Sequence, residues 1–153
     1  MDLKAKQALM TARILQISFI VSGLMFLTIV FKIPPTGTEP VQPSIELIIS
    51  AVALANIVLG FVLPGFVARA AGRGQCGASA STTPMQRWFT GYILSLAFFE
   101  SCSLFGVVLH FMGARILVVE VLFAASLLAI LVRSPGVPPS DEGVPLSQTL
   151  PGA

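Results

Sequence analysis

The residue of this sequence most able to do chemistry is an acid set in a hydrocarbon-like run. Glu100 lies at the centre of residues 88–112, flanked by Phe98, Phe99, Leu104 and Phe105. Placing a charged acid at the centre of a bilayer costs on the order of 2.5–3.5 kcal/mol on insertion scales. An acid escapes that cost by keeping its proton or by facing a packed interior that offers donors. Ser103 is one helical turn on, Ser101 is adjacent, and Asn56 falls at a similar depth in a second apolar stretch. Glu100 with Asn56 and Ser103 can therefore hold a proton or Na⁺ reversibly. The same carboxyl, kept neutral, can equally tie two helices together.

Glu120 and His110 form a second candidate pair. Glu120 lies slightly over one turn into the last apolar run, and His110 lies near the end of the run that holds Glu100. Across the short segment between them they can share a proton or a water, which makes them an access route to Glu100. They can also simply reach for headgroup water. His110 is the one residue able to act as an axial ligand to haem or a chlorin, but a single histidine cannot supply both axial positions. No other cofactor is expected. Structural zinc needs four Cys/His ligands in close-spaced pairs, and the chain has only Cys76, Cys102 and His110, all scattered. His110 is also the only candidate base for a hydrolytic triad, and Asp2 and Asp141 both lie in the terminal regions. The sequence reads as that of a protein that is not an enzyme.

Composition dictates what must position these residues. Of 153 residues, 55% are hydrophobic and only 10% charged, whereas a soluble domain carries about a quarter charged. Mean hydropathy is +0.90. Nine Lys+Arg against seven Asp+Glu is too even and too sparse for nucleic-acid binding. Residues 14–31, 47–68, 88–112 and 116–132 are long and apolar enough to be read as spans, since a bilayer needs roughly 17–25 residues. All four should be helical, because in lipid only helices and closed barrels satisfy their own backbone. The apolar stretch of the first is too long for a signal peptide, and no small-residue cleavage site follows it.

The fold expected is all-α: a polytopic bundle of four transmembrane helices arranged as two hairpins. Residues 1–13 form a cytoplasmic N-terminal or interfacial helix, 14–133 the transmembrane domain, and 134–153 a disordered proline-rich tail. The positive-inside rule sets both termini in the cytoplasm. Lys4, Lys6, Arg13, Arg69, Arg73, Arg87 and Arg133 then face inward, against Lys32 and Arg115 outside. Trp88 and Tyr92 mark the inner interface of the third span.

Small residues form stripes along three of the spans: Ala53, Asn56, Gly60 and Pro64; Gly91, Ser95, Cys102, Gly106 and His110; Ala124, Ala125, Ser126 and Ala129. Small faces let helices approach closely, and packing drives helix association in lipid. They serve either the bundle itself or docking by neighbouring subunits. The expected partners are the lipid bilayer and other integral membrane subunits or further copies of the chain. The expected function is a small non-catalytic subunit of a larger membrane complex. The alternative is a proton- or ion-translocating component built on Glu100.

The run AFFESCSLFGVV at residues 97–108 resembles the ion-binding helix of rotary ATPase proteolipids. That family carries a mid-membrane acid in a small and apolar helix, often followed by an aromatic-Gly-apolar sequence. The resemblance implies that Glu100 is the ion-carrying carboxylate. The family's acid helix follows a glycine-repeat helix, whereas here the first apolar stretch has only Gly23.

Overall fold

The computed structural model describes residues 3–36, 41–72 and 83–138. Among these the chain forms helices and no strand: α1 (Leu3–Lys32), α2 (Pro43–Gly72), α3 (Pro84–Phe111) and α4 (Ile116–Val132). Three segments are long and apolar enough to cross a membrane: Ala5–Lys32, Pro43–Phe66 and Pro84–Phe111. The fourth helix, of 17 residues, is shorter than these.

Local chemistry explains where the helices start and stop. Pro43 opens α2 at a position where a missing N–H costs nothing. Pro64 then falls inside α2, yet the helix runs on to Gly72; the loss is the one hydrogen bond that residue 64 would give to Gly60. α3 begins with a capping box. The Thr83 hydroxyl accepts from the Gln86 amide at 3.3 Å, and the Gln86 side chain accepts from the Thr83 amide at 3.2 Å, with Pro84 following the cap.

α3 ends in a Schellman motif. Gly113 has φ 81°, which a residue with a Cβ rarely adopts. Its amide donates to His110 O at 3.0 Å, and the Ala114 amide donates to Leu109 O at 2.9 Å. The chain reverses at once into α4, so α3 and α4 pack as the antiparallel hairpin that the sequence indicated. The N-terminal segment is not a separate helix: α1 is continuous from Leu3. The tail beyond residue 138 lies outside the described residues.

The other expected hairpin is not a packed pair. α3 packs against α1, α2 and α4, and α4 also touches α1 and α2, but α1 and α2 barely meet. The cross-section is a rhombus, with α3 and α4 on the short diagonal and α1 and α2 at the far corners. Two apolar clusters fill it. One gathers Val30, Ala53, Cys102, Leu109, Leu122 and Phe123. The other gathers Ala12, Tyr92, Leu96, Phe99, Ala129 and Ile130.

The small-residue faces serve this packing. A Cβ on Gly60 would lie 2.5 Å from the Phe99 ring, and one on Gly106 3.0 Å from the Phe123 ring. Gly91 seats against Pro64, and Gly23 against Leu127. The glycines are where α1, α2 and α3 admit their neighbours' large side chains.

Candidate functional site

At mid-height, α3 reaches a different helix with each of three polar residues close in sequence. Glu100 faces α1, where the Ser22 hydroxyl donates to its Oε1. Ser101 faces α2: Asn56 Nδ2 donates to Ser101 Oγ at 2.9 Å, and Ser101 Oγ donates to Phe98 O at 2.7 Å. Ser103 faces α4, donating to Ser126 Oγ at 2.7 Å, while Ser126 Oγ donates to Phe99 O at 2.7 Å. A helix advances about 100° per residue, so positions 100, 101 and 103 must point three ways.

The trio expected around the acid is therefore divided. Glu100 and Asn56 lie on adjacent sides of α3, joined through the backbone between residues 100 and 101 and through no direct bond. Ser103 belongs to a fully buried pair with Ser126, and its hydroxyl is engaged there. The donor that does reach Glu100 is Ser22. The sequence analysis does not place Ser22 beside the acid. The available signal was depth: Ser22 sits mid-span in the first apolar stretch, as Glu100 does in the third.

Glu100 is half-buried, and so are Ser22, Ser101 and Asn56. One turn before and one turn after the 100/101 pair, on the same face of α3, are Ala97 and Leu104. Ile93 and Val108 extend that strip, and all four are exposed. Since Glu100 marks the α1 edge and Ser101 the α2 edge, this strip is the face of α3 left uncovered between α1 and α2. The half-buried acid lies at one edge of that strip.

The second candidate pair is not brought together. Glu120 is exposed on α4. His110 is 7% exposed and its Nε2 lies 2.8 Å from Ile33 O. A carbonyl only accepts, so Nε2 carries the hydrogen and is engaged there. His110 thus straps the exit of α1 to the end of α3, and Thr36 Oγ1, donating to Phe111 O at 3.2 Å, repeats the strap.

A further acid, which the sequence analysis leaves aside, is Glu46. In the structure it is 6% exposed and accepts from Arg115 Nε at 3.0 Å and Nη2 at 2.9 Å. This ties the start of α2 to the start of α4 at the same end of the bundle. Glu46 stands in the first turn of α2, where the dipole also favours a negative charge. At the opposite end, Gln16 Nε2 donates to Ile130 O at 2.7 Å and covers a carbonyl that α4's last turn leaves unpaired. Among the described residues no group of three or more His, Cys, Asp or Glu is placed to hold a metal.

Comparison of the chain with protein-family models, with curated proteins and with solved structures finds no match.

Proposed function

We propose that this chain is a small non-catalytic integral membrane subunit. It crosses the bilayer four times, keeps both termini on the cytoplasmic side, and packs within a larger membrane protein complex. The observation that carries the reading is the uncovered strip of α3. α3 is the hub of the bundle, with 44% of its most apolar window buried, against 11% for α1 and α2. Yet Ile93, Ala97, Leu104 and Val108 stay open because α1 and α2 stand apart. An uncovered apolar strip on the central helix is a face on which a further helix can pack, and its edges offer a carboxyl and an amide–hydroxyl pair. Polar groups of this kind join helices in bilayers.

The test is purification in a mild detergent followed by mass spectrometry of the intact assembly. Stoichiometric membrane partners, cross-linked through cysteines placed at Ala97 or Leu104, are expected. A monodisperse single chain with no cross-link at either position rejects the reading. The topology is tested by labelling Cys76 and a cysteine placed in the tail with a membrane-impermeant thiol reagent. Both should react only from the cytoplasmic face.

A second reading rests on Glu100 itself. A half-buried acid at mid-span, hydrogen-bonded to Ser22 and beside the uncovered strip of α3, suits a component that binds a proton or Na⁺ in transit. The resemblance of residues 97–108 to the rotary ATPase proteolipids points the same way. Carbodiimide should then modify Glu100, and Na⁺ or raised pH should slow the reaction. Transport that persists in Glu100→Gln would eliminate this reading.

A further inference from the structure

A cleft of ≈ 490 Å³ opens where α3 begins and α4 ends, lined by Pro64, Arg87, Trp88, Tyr92, Arg133 and Ser134, among others. It is remote from Glu100, and neither reading above uses it. Its chemistry is lopsided. Among the described residues that line it there are two guanidinium groups, a phenol and a hydroxyl, and no carboxylate. Two of its donors are stranded: the hydroxyl of Tyr92, a residue only 3% exposed, and the Nε of Arg133 are buried with no hydrogen-bond partner among the described residues.

A buried polar group without a partner costs about 1–3 kcal/mol, so two on one cleft wall call for an acceptor. An indole lies beside them: the Trp88 and Tyr92 rings stack at 6.0 Å and 7°. The positive end of α3 starts at the cleft, while Gln16 already covers an α4 carbonyl nearby. Helix starts favour anions.

We infer that this cleft binds the phosphate of an acidic phospholipid. Arg133 and Tyr92 donate to the phosphate oxygens, and the Trp88 and Pro64 surfaces lie along the glycerol and upper acyl segments. An arginine fork matches a phosphate in a way that a lysine does not. Trp and Tyr with Arg are also the side chains that settle at the headgroup level of a membrane. The inference rests on the membrane-spanning reading and adds a lipid class and a position to it.

The test uses the full chain in a neutral detergent, with phosphatidylglycerol or phosphatidylcholine of the same acyl chains added and bound lipid read by native mass spectrometry. Phosphatidylglycerol should bind about tenfold or more tightly than phosphatidylcholine. Tyr92→Phe and Arg133→Gln should each weaken phosphatidylglycerol binding about tenfold, the share of one charged hydrogen bond. Arg133→Lys, which keeps the charge and loses the fork, should show an intermediate loss. Arg115→Gln, at the other end of the bundle, should leave the binding of both lipids unchanged. Far-ultraviolet circular dichroism of each variant establishes that the helices are retained. Equal binding of the two lipids, or phosphatidylglycerol binding that neither Tyr92→Phe nor Arg133→Gln weakens, overturns the inference. Displacement of the lipid by inorganic phosphate at equal concentration would make free phosphate the ligand and overturn the lipid assignment. Alkaline carbonate extraction separates the two levels. A chain released from membranes loses the spanning reading, whereas one that stays but does not discriminate loses only this site.

Discussion

Gly60→Ala should destabilise the bundle although it improves the helix. Alanine in place of glycine within a helix is worth about 0.5–1 kcal/mol in its own right. At Gly60 the new methyl would stand 2.5 Å from Phe99 Cε1, 3.0 Å from Phe99 Cδ1 and 3.2 Å from Phe98 Cβ. Ordinary contact lies beyond 3.4 Å, so the Phe99 ring must retreat by about 1 Å. It has nowhere to go: Phe99 is fully buried, and its ring meets that of Phe61 at a centroid distance of 4.8 Å. Overpacking of this kind costs about 1–3 kcal/mol. The net expectation is a loss of about 1–2 kcal/mol after the propensity gain is subtracted. Gly65 on the same helix supplies the control, since a Cβ there meets nothing within 4 Å, and Gly65→Ala should be neutral or slightly stabilising. The assay is loss of helicity against SDS mole fraction in mixed micelles. Phe99→Leu added to Gly60→Ala should recover part of the loss, so that the double variant costs less than the sum of the singles by about 1 kcal/mol. If Gly60→Ala proves as stable as Gly65→Ala, the close approach of α2 to α3 is wrong.

The same titration checks three further expectations. Arg115→Ala should cost about 1–3 kcal/mol, because it strips the donors from a Glu46 carboxylate that is 6% exposed; no change would mean that the pair does not form. Ser126→Ala should cost only about 0.5–1 kcal/mol, since the Ser103 hydroxyl can turn to its own i−4 carbonyl, Phe99 O, which Ser126 has released. A loss beyond about 2 kcal/mol would show that Ser103 cannot make that turn. His110→Phe should keep the ring volume but free Ile33 O, raising amide exchange and proteolytic access at residues 33–36 with little change in the global midpoint; unchanged exchange there would remove the strap.

Helix type, number and approximate ends were legible because they follow from apolar length and from local rules. Thr83 with Gln86 is a capping box written in the sequence, and Gly113 in a four-residue connection signals a reversal. What was not legible was which helices touch. Adjacent spans joined by a short loop are ordinarily neighbours, which made α1 and α2 a hairpin on paper. The packing runs otherwise because Gly23 and Ala12 on α1 fit α3 and α4, while the Gly60 face of α2 receives Phe99. Periodicity shows that a face is small, and it cannot show whose side chain fills it. The division of the polar residues has the same origin. Asn56, Glu100 and Ser103 share a depth, which sequence position reveals. Their azimuths differ, and sorting azimuths requires the neighbours to be known. Ser22 and Glu46 were undervalued for the converse reason, since each is ordinary on its own helix and gains its meaning from a residue on another.

The link between Ser22 and Glu100 bears on which ion the second reading would involve. A proton needs a single oxygen and leaves the other lone pairs of the carboxyl free, so a protonated Glu100 can still accept from Ser22 and keep the middle of α1 docked on α3. A bare Na⁺ must replace most of its hydration shell with several oxygens at once. Around Glu100 the structure supplies the carboxyl and the Ser22 hydroxyl. Asn56 and Ser101, at the other edge of the uncovered strip of α3, are already committed to one another. Gathering them into a cation shell would break both links that hold α1 and α2 to the centre of α3 and would draw together two helices that barely meet. The arrangement thus suits proton exchange with α1 in place, and it makes Na⁺ binding conditional on a movement of α1 toward α2. Protection of Glu100 from carbodiimide by low concentrations of Na⁺, with no change in a cross-link between α1 and α3, would defeat that argument.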